Sequence, residues 1–110
     1  MSAETRALDV SNFDAETSEG VVLAFFGEPW DSGSRRELRI IEKVAALTAG
    51  RLKVGMCSVK DAPELAERFN IRSIPATLLF KDGKEAERLV GLRHEGTLIR
   101  HLKKYLEQEA

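Results

Sequence analysis

The residues able to do chemistry gather in Phe25-Phe26-Gly27-Glu28-Pro29-Trp30-Asp31-Ser32-Gly33-Ser34, where an apolar run breaks off into a polar turn and a helical pattern begins. Strand ends and helix N-termini converge at such a junction. The first helical amides point outward without partners, so a negative or polar group placed there is stabilised. Asp31 can act there as a fixed anion for a cationic partner group. Ser34 can act as a nucleophile only with a base in reach, and the two histidines, His94 and His101, come with no nucleophile-elbow motif. Both histidines read as surface residues, and hydrolase chemistry is set aside. The simpler account is helix capping. Ser34 with Glu37 has the S-x-x-E spacing of a capping box, and Asp31 caps if the helix starts earlier.

The chain contains one cysteine, Cys57. It sits in an apolar strand pattern, where a thiol is ordinarily a small buried hydrophobe with a raised pKa. A single cysteine builds neither an intramolecular disulfide nor a cysteine metal cluster. No catalytic residue, metal or cofactor is expected, and enzymatic turnover is not expected either. Arg35, Arg36 and Arg39 crowd the start of the helix, against its dipole. They read as a solvated face in preference to a basic patch for an acidic peptide.

The elements that position these residues follow from the hydrophobic pattern. Val21-Val22-Leu23-Ala24-Phe25-Phe26 is apolar without alternation, which predicts a strand buried on both faces. Ser34 to Ala49 carries Leu38, Ile41, Val44, Ala45 and Leu47 at helical spacing, with Gly50 closing the helix. Leu52 to Val59 reads as a strand and Asp61 to Phe69 as a short capped helix. Ala76 to Phe80 is a strand, Lys81-Asp82-Gly83-Lys84 a hairpin turn, and Glu85 to Gly91 the returning strand. Leu98, Ile99, Leu102, Tyr105 and Leu106 mark a terminal amphipathic helix. Ahead of all this, residues 1–7 read as loose, Leu8-Asp9-Val10 as a weak strand, and Ser11 to Glu16 as a short helix with little apolar surface. The order is β-α-β-α-β-α-β-β-α.

The 110 residues fit one domain, 1–110, with 43% hydrophobic and 32% charged residues. With 17 basic against 18 acidic residues and no long run of either sign, neither nucleic acid nor an anionic membrane is an expected partner. No apolar stretch approaches the ~20 residues that span a bilayer, and the start lacks a secretory layout, so a cytoplasmic location is expected.

Over Leu8 to Glu107 the chain resembles the thioredoxin family. The match is carried by Val22-Leu23-Ala24-Phe25-Phe26, by the block from Ala66-Glu67-Arg68-Phe69 through Ile74-Pro75-Ala76-Thr77-Leu78-Leu79-Phe80 to Lys81-Asp82-Gly83-Lys84, and by Val90-Gly91. The resemblance implies an α/β thioredoxin fold, a central mixed sheet of four to five strands flanked by helices. It also implies a cis peptide bond before Pro75. Beside that bond it implies an apolar peptide groove lined by Trp30, Ile74, Pro75, Gly91 and Leu92, although cis-proline kept for folding alone stands level with this.

The family carries W-C-G-P-C where this chain has Trp30-Asp31-Ser32-Gly33-Ser34. Counting back from Gly50 puts Ser34 at the second cysteine. The aromatic pair Phe25-Phe26 then lies one residue too far from Trp30, as if Gly27-Glu28-Pro29 held an insertion. Alignment without a gap puts Trp30 and Gly33 at the cysteine positions instead. The family's buried acid aligns with Ala24, its lysine partner with Met56, and its helix-kinking proline with Arg39. With the sulfurs and their proton-transfer pair absent together, the expected function is a redox-inactive peptide- or protein-binding module of chaperone or assembly type. It would act through Trp30, Asp31, Ser34, Ile74, Pro75, Gly91 and Leu92 on a protein or an extended peptide. The alternative is a thiol-disulfide oxidoreductase-related role in cell redox homeostasis, through Cys57 or as a variant with replaced site cysteines.

Overall fold

The computed structural model describes residues 5–48 and 51–107. Its elements are β1 (Thr5–Ala7), α1 (Phe13–Thr17), β2 (Val21–Gly27), α2 (Ser32–Leu47), β3 (Leu52–Ser58), α3 (Pro63–Arg68), β4 (Ala76–Lys81), β5 (Lys84–Val90) and α4 (Glu95–Glu107). This is the order that the hydrophobic pattern predicts. The strands form one sheet in the order β1-β3-β2-β4-β5, parallel through β1, β3 and β2 and antiparallel through β4 and β5. All seven residues of β2 are buried, as expected of a central strand without alternation.

The alternation of side chains along β2 divides the core. Val21, Leu23 and Phe25 pack beneath α2 and α4 with Ile41, Val44, Leu98 and Leu102, while Val22, Ala24 and Phe26 face Phe13, Leu65 and Phe80. The second face is aromatic. Phe13, Phe69 and Phe80 lie with ring centroids 5.0–5.5 Å apart, and the Arg68 guanidinium sits 4.8 Å over the Phe69 ring while bonding Asp14.

The largest departure from the sequence pattern is at the start of the chain. The first strand is Thr5–Ala7 and not Leu8–Val10, so part of the stretch expected to be loose is paired; residues 1–4 lie outside the described residues. Pairing outweighs pattern here. Thr5, Arg6 and Ala7 register with Val54, Gly55 and Met56 at an open strand edge, and Leu8 then turns inward over Gly55. A Cβ at Gly55 would come within 2.5 Å of the Leu8 side chain, so the glycine makes room for it. The first helix is likewise not poor in apolar surface, because Phe13 is buried and centres the aromatic cluster.

At α3 the N-cap is Ala62, with no side-chain cap, in place of the expected opening at Asp61. The hairpin follows its sequence signal. Asp82 and Gly83 both take positive φ, 49° and 87°, as a two-residue type I′ turn requires. The expected helix end at Ala49 and Gly50 lies outside the described residues.

Candidate functional site

The junction at 27–34 is built by capping. α2 begins at Ser32, and Asp31 is its N-cap with extended backbone angles. Asp31 Oδ2 accepts hydrogen bonds from Ser34 N at 2.7 Å and from Ser34 Oγ at 2.8 Å. One carboxylate oxygen thus binds the amide and hydroxyl of the third helical residue, the arrangement expected of an aspartate N-cap in a favourable dipole. The Ser34–Glu37 capping box does not form. Ser34 lies inside the helix, and Glu37 reaches elsewhere.

Glu37 is fully buried, and its Oε1 accepts the Arg93 amide at 2.9 Å across 56 residues. Its Oε2 has no hydrogen-bond partner. Burial pushes this carboxyl above the ordinary carboxylate range, against the opposing pull of the Arg93 amide and of the charges of Arg93 and His94. The bond ties α2 to the loop 91–94.

That loop closes the site from the other side. The Ile74–Pro75 peptide bond is cis, and Gly91, at φ 87°, donates its amide to the Pro75 carbonyl at 2.8 Å. A Cβ built on Gly33 would stand 3.4 Å from Asp31 Oδ2, 3.5 Å from Pro75 Cδ and 4.0 Å from Leu92 Cδ2. Gly33 therefore lies at the meeting point of the capped turn, the proline loop and the loop after β5. Trp30, 67% exposed, and Ile74 line an adjoining cleft of about 300 Å³ with Val59, Ile71 and Ser73. The structure thus brings together all seven residues singled out: Asp31, Ser34, Pro75, Gly91 and Leu92 around Gly33, with Trp30 and Ile74 beside them.

The side chain of β2 beneath Ser34 is Phe25. A Cβ at Gly27 would meet Ser34 Oγ at 2.7 Å and the Phe25 ring at 2.8 Å, so glycine at 27 lets the two close over the strand end. Phe25 is also the direct register partner of Met56, whereas Ala24 pairs with Gly55 and faces the opposite layer. An acid serving a group at position 34 must share its face of the sheet, so Phe25 and not Ala24 occupies the acid's place. With the acid's place at Phe25 instead of Ala24, the aromatic position after it moves one residue nearer Trp30, and no insertion is needed in Gly27-Glu28-Pro29. Asp31 and Ser34, and not Trp30 and Gly33, are the residues that bond one another across the first helical turn.

Glu28 is a second residue that sequence reasoning misses. Only 3% exposed, it accepts Ser58 Oγ at 2.6 Å on one oxygen and the Lys60 amide at 2.7 Å on the other. It fixes the end of β2 to the turn after β3. Its partners lie 30 and 32 residues away, so no local pattern announces it.

Cys57 is fully buried opposite Phe26. Burial, reinforced by the negative charges of Glu28, Asp9 and Asp61, pushes its thiol up to about 11. At neutral pH that leaves about one thiolate in ten thousand, and nucleophilic sulfur chemistry requires the thiolate. His94 is exposed as expected, whereas His101 is half-buried and its Nδ1 bonds Glu87. Arg35, Arg36 and Arg39 are exposed, and Arg35 returns to the Pro29 carbonyl at 2.9 Å.

A mixed five-stranded sheet flanked by helices, with a strand-to-helix turn closed by a cis-proline loop, defines the α/β class of the thioredoxin fold. The chain belongs to the thioredoxin family: the family model described as Thioredoxin matches residues 4–104. The curated relatives include the thioredoxin of Bacillus subtilis, 36% identical over 94% of this chain and 99% of that one. Thioredoxin 1 of Nostoc is 32% identical over 96% of this chain and all of that one. Among solved structures, a single-substitution mutant thioredoxin from Halobacterium salinarum superposes with a TM-score of 0.86 at 27% identity, covering 96% of this chain and 95% of that one.

These relatives overturn the expected redox-inactive module of chaperone or assembly type. That expectation weighs the missing sulfurs above the rest of the chain. The relationship instead runs through nearly the full length of proteins named thioredoxin, so the alternative, a redox role, is the better supported.

Proposed function

We propose that the protein serves thiol-disulfide redox homeostasis as a thioredoxin-family variant whose two site-cysteine positions are filled by Asp31 and Ser34. The observation that carries this is the site's geometry: a helix N-cap and its third helical residue, bonded to each other through Asp31 Oδ2, abut Gly33 and the Ile74–Pro75 loop. In this position a thiolate would be stabilised by the same amides and dipole that hold the Asp31 carboxylate. Cys57 is the weaker candidate for a monothiol route, being buried with its thiol pushed up to about 11.

In this reading the partners are cysteine-bearing protein segments. They lie extended against Ile74 and Pro75, flanked by Trp30, Gly91 and Leu92, in the manner of a strand added to an exposed backbone edge. The setting is cytoplasmic. No cofactor is required.

Competition tests it. An excess of this chain is expected to slow the reduction of insulin by a dithiol thioredoxin, by occupying the same disulfide-bearing segments. Trp30→Ala is expected to weaken that inhibition while leaving stability within about 0.5 kcal/mol, since the side chain is exposed. Unchanged reduction at saturating excess, with the chain shown to be folded, contradicts the proposal.

A further inference from the structure

Behind the capped turn, on the side of β1 and away from Trp30 and Ile74, lies a cavity of about 580 Å³. This is within the range of small-molecule sites. Its apolar wall is made by Leu8, Leu38, Met56 and Ala62. Three carboxylates line it, those of Asp9, Glu28 and Asp61, against one cation, Arg35, which is engaged with the Pro29 carbonyl.

The three acids differ in what they have left to offer. Glu28 commits both oxygens to Ser58 and the Lys60 amide. Asp9 accepts from Ser11 and Asn12 on Oδ1, and the Ser11 hydroxyl holds its carboxyl below the ordinary range, so it is ionised at neutral pH. The Asp61 carboxylate makes no hydrogen bond or ion pair among the described residues, although its backbone amide donates to Ser58 Oγ.

We propose that this cavity binds a small organic cation, an apolar body carrying a protonated amine. The body lies against Leu8, Leu38 and Met56, and the ammonium faces Asp61 and Asp9. A neutral molecule would forgo the charge pairing, and an anion would meet three carboxylates. Ser34 borders this cavity as well as the capped turn, but the proposal invokes none of Trp30, Ile74, Pro75, Gly91 and Leu92 and so does not depend on the redox role.

The probe is 4-phenylbutylamine, titrated into the full chain at low salt and followed by NMR, with 4-phenyl-1-butanol as its neutral counterpart. A ligand of this size gives a Kd of about 1 mM. Shifts are expected at the Met56 methyl and at Leu8, Leu38 and Asp61, saturating with the amine. The alcohol is expected to bind at least about threefold more weakly, and Asp61→Asn to weaken the amine by a similar factor. Raising the salt to about 0.5 M should narrow the difference. Asp61 is exposed, so its substitution leaves the fold intact, and the unsubstituted chain carries the main comparison in any case. Equal binding of amine and alcohol overturns the cation assignment. Absence of shifts at about 10 mM amine, roughly ten times the expected Kd, or shifts confined to Trp30 and Ile74, overturns the site.

Discussion

The two faces of the sheet are built on different terms. Beneath α1 and α3 the core is aromatic and closed: Phe13, Phe26, Phe69 and Phe80 interlock, and Arg68 and Asp14 cover the edge. Beneath the start of α2 the core admits polar groups. Ser34, 1% exposed, lies against the strand end at Gly27, and Glu37 is fully buried one turn further along α2. Polar groups cost free energy when buried and are tolerated where they are bonded. One face therefore secures the fold, and the other gives up stability for a placed turn. Neither the aromatic cluster nor the proline loop contains sulfur, so this architecture stands in a chain with a single cysteine.

The largest test of this contrast is on the aromatic side. Phe13→Ala is expected to cost about 3–5 kcal/mol in chemical denaturation, because the ring is buried among three other rings. A loss below about 1 kcal/mol would show that the cluster is not what secures that face.

On the polar side, Asp31→Ala removes the acceptor for both the amide and the hydroxyl of Ser34, with an expected loss of about 1 kcal/mol. Equal stability with and without the carboxylate would mean that Asp31 is not held in place as a cap.

Glu37 gives a smaller effect that depends on pH. Its folded-state pKa is raised above the ordinary 4.5, first by burial. The folded chain therefore binds this proton more tightly than the unfolded chain does. The resulting stabilisation is complete below about pH 4.5 and is lost as the pH rises through the raised folded value. Glu37→Gln keeps an oxygen for the Arg93 amide and removes the titration. Urea unfolding between about pH 4 and 7 should show stability falling in the parent relative to the variant, with the two within about 1 kcal/mol at neutral pH. Parallel pH profiles would contradict a raised pKa.

Much of this is legible in the sequence, for reasons that differ by region. β2 announces itself because a strand buried on both faces needs seven successive apolar or small residues. The hairpin is readable from Asp82-Gly83, since only a few residue types accept two successive positive φ angles. β1 is misplaced by its own pattern because a three-residue edge strand is set by its partner, here Val54 to Met56.

At the site, Asp31 and Ser34 stand out from their place at a strand-to-helix junction. Glu37 is easily misread because its S-x-x-E spacing mimics a capping box, while its true partner lies 56 residues away. Sequence alone assigns the place of the missing acid to Ala24 because two consecutive phenylalanines do not reveal which of them faces α2. The sheet register does, by pairing Phe25 with Met56.

The most direct test of the central claim, that positions 31 and 34 are the thioredoxin redox positions of this chain, is insulin reduction by dithiothreitol in the presence of the double variant Asp31→Cys/Ser34→Cys. The two positions face each other across the first turn of α2, at a helix N-terminus that favours a thiolate and beside Pro75. The account predicts a rate at least about tenfold above dithiothreitol alone, equivalent to ~1.4 kcal/mol of barrier. The parent chain alone should remain at background. A folded double variant that reduces insulin no faster than the parent would contradict it.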